Sequence, residues 1–85
     1  MAKTIHRSEY RHAVNQLREV REVLGLSQTA LALRLGRNQQ WVSLMENGSR
    51  RLDVIEFAEV CIALDADPTI VLAPVIAALR DSRST

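Results

Sequence analysis

Eighty-five residues, 47% of them apolar and with a formal net charge of +1, allow one small domain with a modest core. The single cysteine, Cys61, excludes an internal disulfide framework, and His6 and His12 have no matching cysteine or acidic pair at ligand spacing, so neither a metal nor another cofactor is expected. No apolar run reaches membrane-spanning length, and Lys3, His6 and Arg7 are not followed by a hydrophobic segment, so the expectation is a cytoplasmic chain without a signal peptide or a membrane partner.

Residues 1–7 have no hydrophobic pattern and are expected to form a flexible arm whose basic residues are Lys3 and Arg7. From Ser8 or Glu9 to Leu24, Tyr10, Ala13, Val14, Leu17, Val20 and Leu24 recur at three- and four-residue spacing. This is an amphipathic helix ended by Gly25, with Arg21 placed unusually close to its apolar stripe. Ser27 then suits the N-cap of a second helix, whose Leu31, Ala32 and Leu35 share a face and whose end is marked by Gly36.

Asn38 can cap a third helix running to Asn47 and closed by Gly48. Trp41, Val42 and Met45 share one arc of it, and Gln39, Gln40, Ser43, Leu44 and Asn47 occupy the other. A solvated helix face more often carries Glu and Lys. Amides at these positions can instead pair in a bidentate way with the N6 and N7 edge of adenine in the major groove.

After Ser49, Arg50 and Arg51, Leu52 is expected to plug the core, and Asp53 with Glu56 forms a capping box opening a fourth helix to about Leu64. Val54, Phe57, Ala58, Cys61 and Leu64 form its expected core stripe, with Ile55, Val60 and Ile62 outside it. Cys61 has Glu59 and Asp65 as its nearest charges, which suits a small core residue better than a reactive thiol. Asp67 and Pro68 read as an N-cap followed by proline at the first helical position.

The run from Ile70 to Leu79 is almost wholly apolar, and Pro74 should kink it or split it into two short helices. A water-exposed surface cannot leave all of it uncovered. One face is therefore expected on the first helix and the other, with Ile62, Ile70, Val71, Val75, Ile76 and Leu79, on a second copy of the chain. The domain thus spans 8–80, and residues 81–85 read as a frayed tail.

Charge is divided along the chain. Residues 34–51 carry Arg34, Arg37, Arg50 and Arg51 against Glu46 alone, a net +3, whereas residues 52–79 carry Asp53, Glu56, Glu59, Asp65 and Asp67 with no Lys or Arg, a net −5. The acidic half should face away from a polyanion bound at the amide-bearing helix. An enzyme is not expected, since two histidines near the N-terminus and one cysteine do not assemble a nucleophile, a base and an orienting group.

From about Leu17 to Leu72 the order LSQTALALRLG, NQQWVSLMENG, RRLDVIEF and ALDADP resembles the Cro and phage-repressor type of helix-turn-helix domain, the XRE family. The resemblance implies an all-α, five-helix, lambda-repressor-like DNA-binding domain, a homodimer on double-stranded DNA with its third helix in the major groove. It assigns base contacts to Gln39, Gln40, Ser43 and Leu44. It assigns the DNA backbone to Gln28, which also braces Gln39, and to Arg37, Asn38, Trp41, Asn47, Arg50 and Arg51. It implies a structural ion pair between Arg21 and Glu46.

Leu44 stands where many relatives have a polar or basic residue, which points to contact with a thymine methyl group. Trp41 is expected to pack beside the second helix with its indole N–H free for a phosphate. Leu33 and Ile62 are more apolar than the pattern and are candidates for a protein contact. A sequence-specific transcriptional repressor is the leading expectation. The alternative is an antitoxin or adaptor acting mainly through a protein partner.

Overall fold

The computed structural model describes residues 8–84, with side chains to Ser82; the arm at 1–7 and Thr85 lie outside the described residues. Five helices follow one another: α1 (Ser8–Val23), α2 (Gln28–Leu35), α3 (Gln39–Glu46), α4 (Val54–Leu64) and α5 (Pro68–Ser84). The described chain is all-α.

Local chemistry sets most of the boundaries. Ser27 Oγ accepts from the Ala30 amide at 3.0 Å and Asn38 Oδ1 from the Trp41 amide at 2.9 Å, satisfying donors that the first turns of α2 and α3 leave orphaned. Gly36, at φ 68°, lets the chain leave α2 in the left-handed conformation while the Arg37 amide returns to the Ala32 carbonyl at 3.0 Å. At the start of α4 the capping box is reciprocal. Asp53 Oδ1 accepts from the Glu56 amide at 2.7 Å, and Glu56 Oε1 accepts from the Asp53 amide at 3.0 Å. Asp67 Oδ1 takes the Thr69 hydroxyl at 2.7 Å and the Thr69 amide at 2.9 Å, and these two bonds hold its carboxyl below the ordinary range.

The core is built by Leu17 from α1, Leu31 and Ala32 from α2, Val42 and Met45 from α3, Val60, Cys61 and Leu64 from α4, and Val71 from α5. Leu52 packs against this cluster from the connection before α4, and its amide donates to the Tyr10 hydroxyl at 2.9 Å. Burial pushes the Cys61 thiol up, as suits a packing residue. An apolar cleft lined by Tyr10, Val14, Leu52, Phe57, Leu72 and Val75 lies where α1, α4 and α5 meet.

Three expectations are corrected. The buried apolar stripe of α4 is Val60, Cys61 and Leu64 with Phe57 half-buried beside it, so Val60 is fully buried while Val54 and Ala58 are exposed. Glu56, Val60 and Leu64 share the inward side of the helix at four-residue spacing, and Val54, Ala58 and Ile62, with Ile55, share the outward one. Second, of the kink or split expected at Pro74 the split does not occur; one helix runs through the proline to Ser84, so residues 81–84 continue it and form no separate tail. Proline removes one hydrogen bond, and the packing of α5 along α1, with Val71 buried and Leu72 and Val75 half-buried, holds the helix together across the defect. Third, Val71 is 2% exposed and belongs to the core of this chain, so it is not free for an interface with a second copy.

Candidate nucleic-acid interface

The α2–α3 pair is fixed from beneath by a buried ion pair. Arg21 and Glu46 are 8% and 4% exposed, and Arg21 donates through Nε to Glu46 Oε2 at 2.6 Å and through Nη2 to Glu46 Oε1 at 3.0 Å. The remaining Arg21 nitrogen, Nη1, reaches the Leu26 carbonyl at 2.6 Å, so one guanidinium joins α1, the α1–α2 turn and the end of α3. The hydrogen bond to Glu46 raises the Arg21 pKa against the opposing effect of burial.

A chain of amides leads outward from this pair. Gln28 Nε2 donates to Glu46 Oε1 at 2.9 Å, and Gln39 Nε2 donates to Gln28 Oε1 at 2.7 Å. The direction is dictated by chemistry: a carboxylate only accepts, so it takes the Gln28 NH2 group, which turns the Gln28 oxygen toward Gln39. Gln39 is exposed, and its oxygen and second N–H lie outside this relay. That is the acceptor and donor pair that matches the major-groove edge of adenine.

Along the outer face of α3, Asn38, Gln39, Gln40, Leu44 and Asn47 are exposed and Ser43 is half-buried, while Val42 and Met45 are fully buried. The helix N-terminus thus presents amides backed by the positive end of the helix dipole. Leu44 is 37% exposed, and its carbonyl is taken by the Ser49 and Arg50 amides at 3.0 and 3.1 Å, which turns the chain back after α3.

The basic residues are arranged differently from their order in the sequence. Trp41 lies under two cations, with the Arg37 guanidinium 4.3 Å and that of Arg50 5.6 Å from its ring centroid. Its indole Nε1 is buried and without a hydrogen-bond partner, so the expectation of an N–H free for a phosphate is corrected. Arg50 turns inward onto Glu56, with Nη2 to Oε2 at 2.6 Å and Nη1 to Oε1 at 3.3 Å. Arg37 Nη2 lies 3.8 Å from both Glu56 Oε2 and Glu59 Oε1. Arg34 caps the end of α4 through the Ala63 carbonyl at 2.8 Å, and Arg51 stacks 4.4 Å from the Tyr10 ring centroid.

The acidic half therefore does not wholly face away: Glu56 and Glu59 fold back against the basic segment. The Asp53 amide, then the Arg50 guanidinium, hold the Glu56 carboxyl below the ordinary range against burial.

One residue escapes a reading of the sequence. Arg11 Nη1 donates to the Asn47 carbonyl at 2.8 Å, placing a cation on the negative end of α3. It passes so close to Gly48, at φ 85°, that a Cβ there would collide with the guanidinium. The glycine is visible in the sequence, but the side chain that passes over it comes from the distant α1.

Five helices, with α2 and α3 joined by a glycine turn and an amide-bearing face on α3, define a helix-turn-helix protein. Residues 13–71 match the family model described as Helix-turn-helix domain. A solved structure of an XRE-family like protein from Pseudomonas syringae pv. tomato str. DC3000 superposes with a TM-score of 0.78 at 44% identity, covering 87% of this chain and 90% of that one. A search of curated proteins found no match. The chain belongs to the XRE-type helix-turn-helix family, whose members are DNA-binding regulators.

Proposed function

We propose that the protein is a homodimeric transcriptional repressor that reads a two-half-site operator in double-stranded DNA by placing α3 in the major groove. The observation that carries this reading is the relay Arg21–Glu46–Gln28–Gln39, which holds one amide of α3 in a fixed donor and acceptor orientation at the surface. A side chain prepared in this way loses less conformational entropy when it meets a base. Gln39, Gln40, Ser43 and Leu44 supply sequence preference in this reading, and Gln28, Arg37, Asn38, Asn47, Arg50 and Arg51 supply backbone contacts and salt dependence.

Dimerisation uses the uncovered apolar side chains of α4 and α5. Ile62, Ile70, Ile76 and Leu79 are 79%, 66%, 43% and 38% exposed, and Val75 is half-buried at the α1 cleft. No helix among the described residues is long and apolar enough to cross a membrane, so a second protein surface is the cover that suits this band. The same surfaces, with Leu33 at 77% exposure, favour the second reading of a dedicated protein partner such as a toxin.

Selection from random duplexes tests the reading. Wild-type protein should enrich a two-part site, and Gln39→Ala should relax one base position in each half at a cost of about 1–3 kcal/mol. Equal binding of all duplexes by the wild type would refute base readout. A stoichiometric partner of different sequence in place of a homodimer on co-purification would favour the second reading.

A further inference from the structure

The carboxylates of Glu56 and Glu59 are where the charge pattern of the sequence and the folded structure disagree. Glu56 has a side chain only 11% exposed, fixed at one oxygen by the Asp53 amide and at both by the Arg50 fork. Arg37 lies within 3.8 Å of both carboxylates, and both arginines lie over Trp41, a residue of α3 itself. Arg50 also spends Nη1 on the Arg51 carbonyl at 2.7 Å, so its plane is held on more than one side. Two cations beside the groove-reading helix are thus partly neutralised from within the protein and held in one geometry.

We propose that Glu56, assisted by Glu59, is a built-in counter-anion that restrains the Arg37 and Arg50 guanidiniums and thereby limits sequence-independent attraction to DNA. It is a specificity-determining device that rests on the DNA-binding reading above. Non-specific binding is almost wholly the neutralisation of phosphates, with affinity falling as salt rises by a slope of about 0.9 per phosphate contact. A carboxylate inside the arginine pair lowers that term for every sequence. The restrained guanidiniums also accept a phosphate only where the register of the duplex brings one to them. Freed arginines would follow phosphates in any register, so releasing them strengthens random binding more than binding to the preferred site.

Glu56→Gln removes the charge and keeps the carbonyl that accepts from the Asp53 amide, since glutamine also serves in a capping box. Glu59→Gln alters a half-exposed carboxylate outside that cap, and its expected effect has the same direction and a smaller size. Binding is measured by fluorescence anisotropy against a random-sequence duplex and against the duplex selected by the wild type, across a salt series. Glu56→Gln is expected to tighten random-duplex binding by about three- to tenfold and to steepen the salt slope by about one, with a smaller gain on the selected duplex. Glu59→Gln is expected to tighten random-duplex binding by about twofold.

Wild type that binds duplexes, together with variants whose random-duplex affinity and slope are unchanged or weakened, would overturn the role of Glu56 and leave the DNA reading standing. Wild type that binds no duplex would overturn both. If Glu56→Gln fails to fold by circular dichroism, the Glu59→Gln result decides the proposal.

Discussion

Replacing Arg21 with methionine should be the most damaging single change beneath the amide-bearing face of α3. The substitution removes two charge-assisted bonds to Glu46 and the 2.6 Å bond to the Leu26 carbonyl, and leaves the 4%-exposed Glu46 carboxylate with Gln28 as its remaining side-chain donor. Charge-assisted bonds contribute about 1.5–3 kcal/mol each, and breaking one side of a buried pair costs about 3–5 kcal/mol because the surviving charge stays desolvated. A domain of this size is stable by only about 4–13 kcal/mol, so the variant should lose a large part of its stability. The double variant Arg21→Met with Glu46→Leu leaves no orphaned charge and should return to within about 1–2 kcal/mol of wild type.

Urea unfolding followed by circular dichroism measures all four corners of this cycle. A cost below about 1 kcal/mol for Arg21→Met, or a double variant no more stable than the weaker single one, would refute the reasoning. The double variant separates stability from readout as well. Without Glu46 nothing dictates the orientation of Gln28, so Gln39 loses its fixed amide and base discrimination should fall in a protein that still folds.

Two further outcomes are expected. Gly48→Ala should cost more than Gly36→Ala in the same urea assay: both positions have positive φ, a strain of about 1–2 kcal/mol for an L-residue, but only at Gly48 would the Cβ strike Arg11, while Gly36 faces open space. Equal costs would show that the Arg11 contact is not rigid. On acidification the protein should lose stability in the carboxylate range, because Glu56 and Asp67 have depressed pKa values in the fold; their stabilising contribution is present above the unfolded pKa, near about 4, and is lost as pH falls through the folded values. Glu56→Gln should flatten that acid limb in melting temperature against pH, and an unchanged limb would remove Glu56 from the explanation.

What the sequence by itself determined is what acts over a few residues. Ser27, Asn38 and the Asp53–Glu56 box mark where α2, α3 and α4 begin, because a cap joins a side chain to a backbone amide two or three positions away. The same short range makes the two arcs of α3 legible, with Val42 and Met45 inside and Gln39, Gln40 and Leu44 outside. Together with the order of motifs, this is sufficient for an all-α helix-turn-helix fold and its family.

Only the tertiary structure decided how the helices turn about their own axes and which distant charges meet. On α4 the apolar residues cover too much of the circumference for periodicity to choose a face, and packing against the other helices shows which one is inside: Val60, Cys61 and Leu64 join the common core while Val54 stays out. On α5 the proline rule allows a kink or a break, and no break occurs, because burial against α1 over several turns outweighs one missing hydrogen bond. The charge blocks at 34–51 and 52–79 are separate in the chain and interleaved in space. A connection of a few residues after α3 brings Glu56 and Glu59 beside Arg37 and Arg50, and electrostatic energy depends on distance through space, not along the sequence.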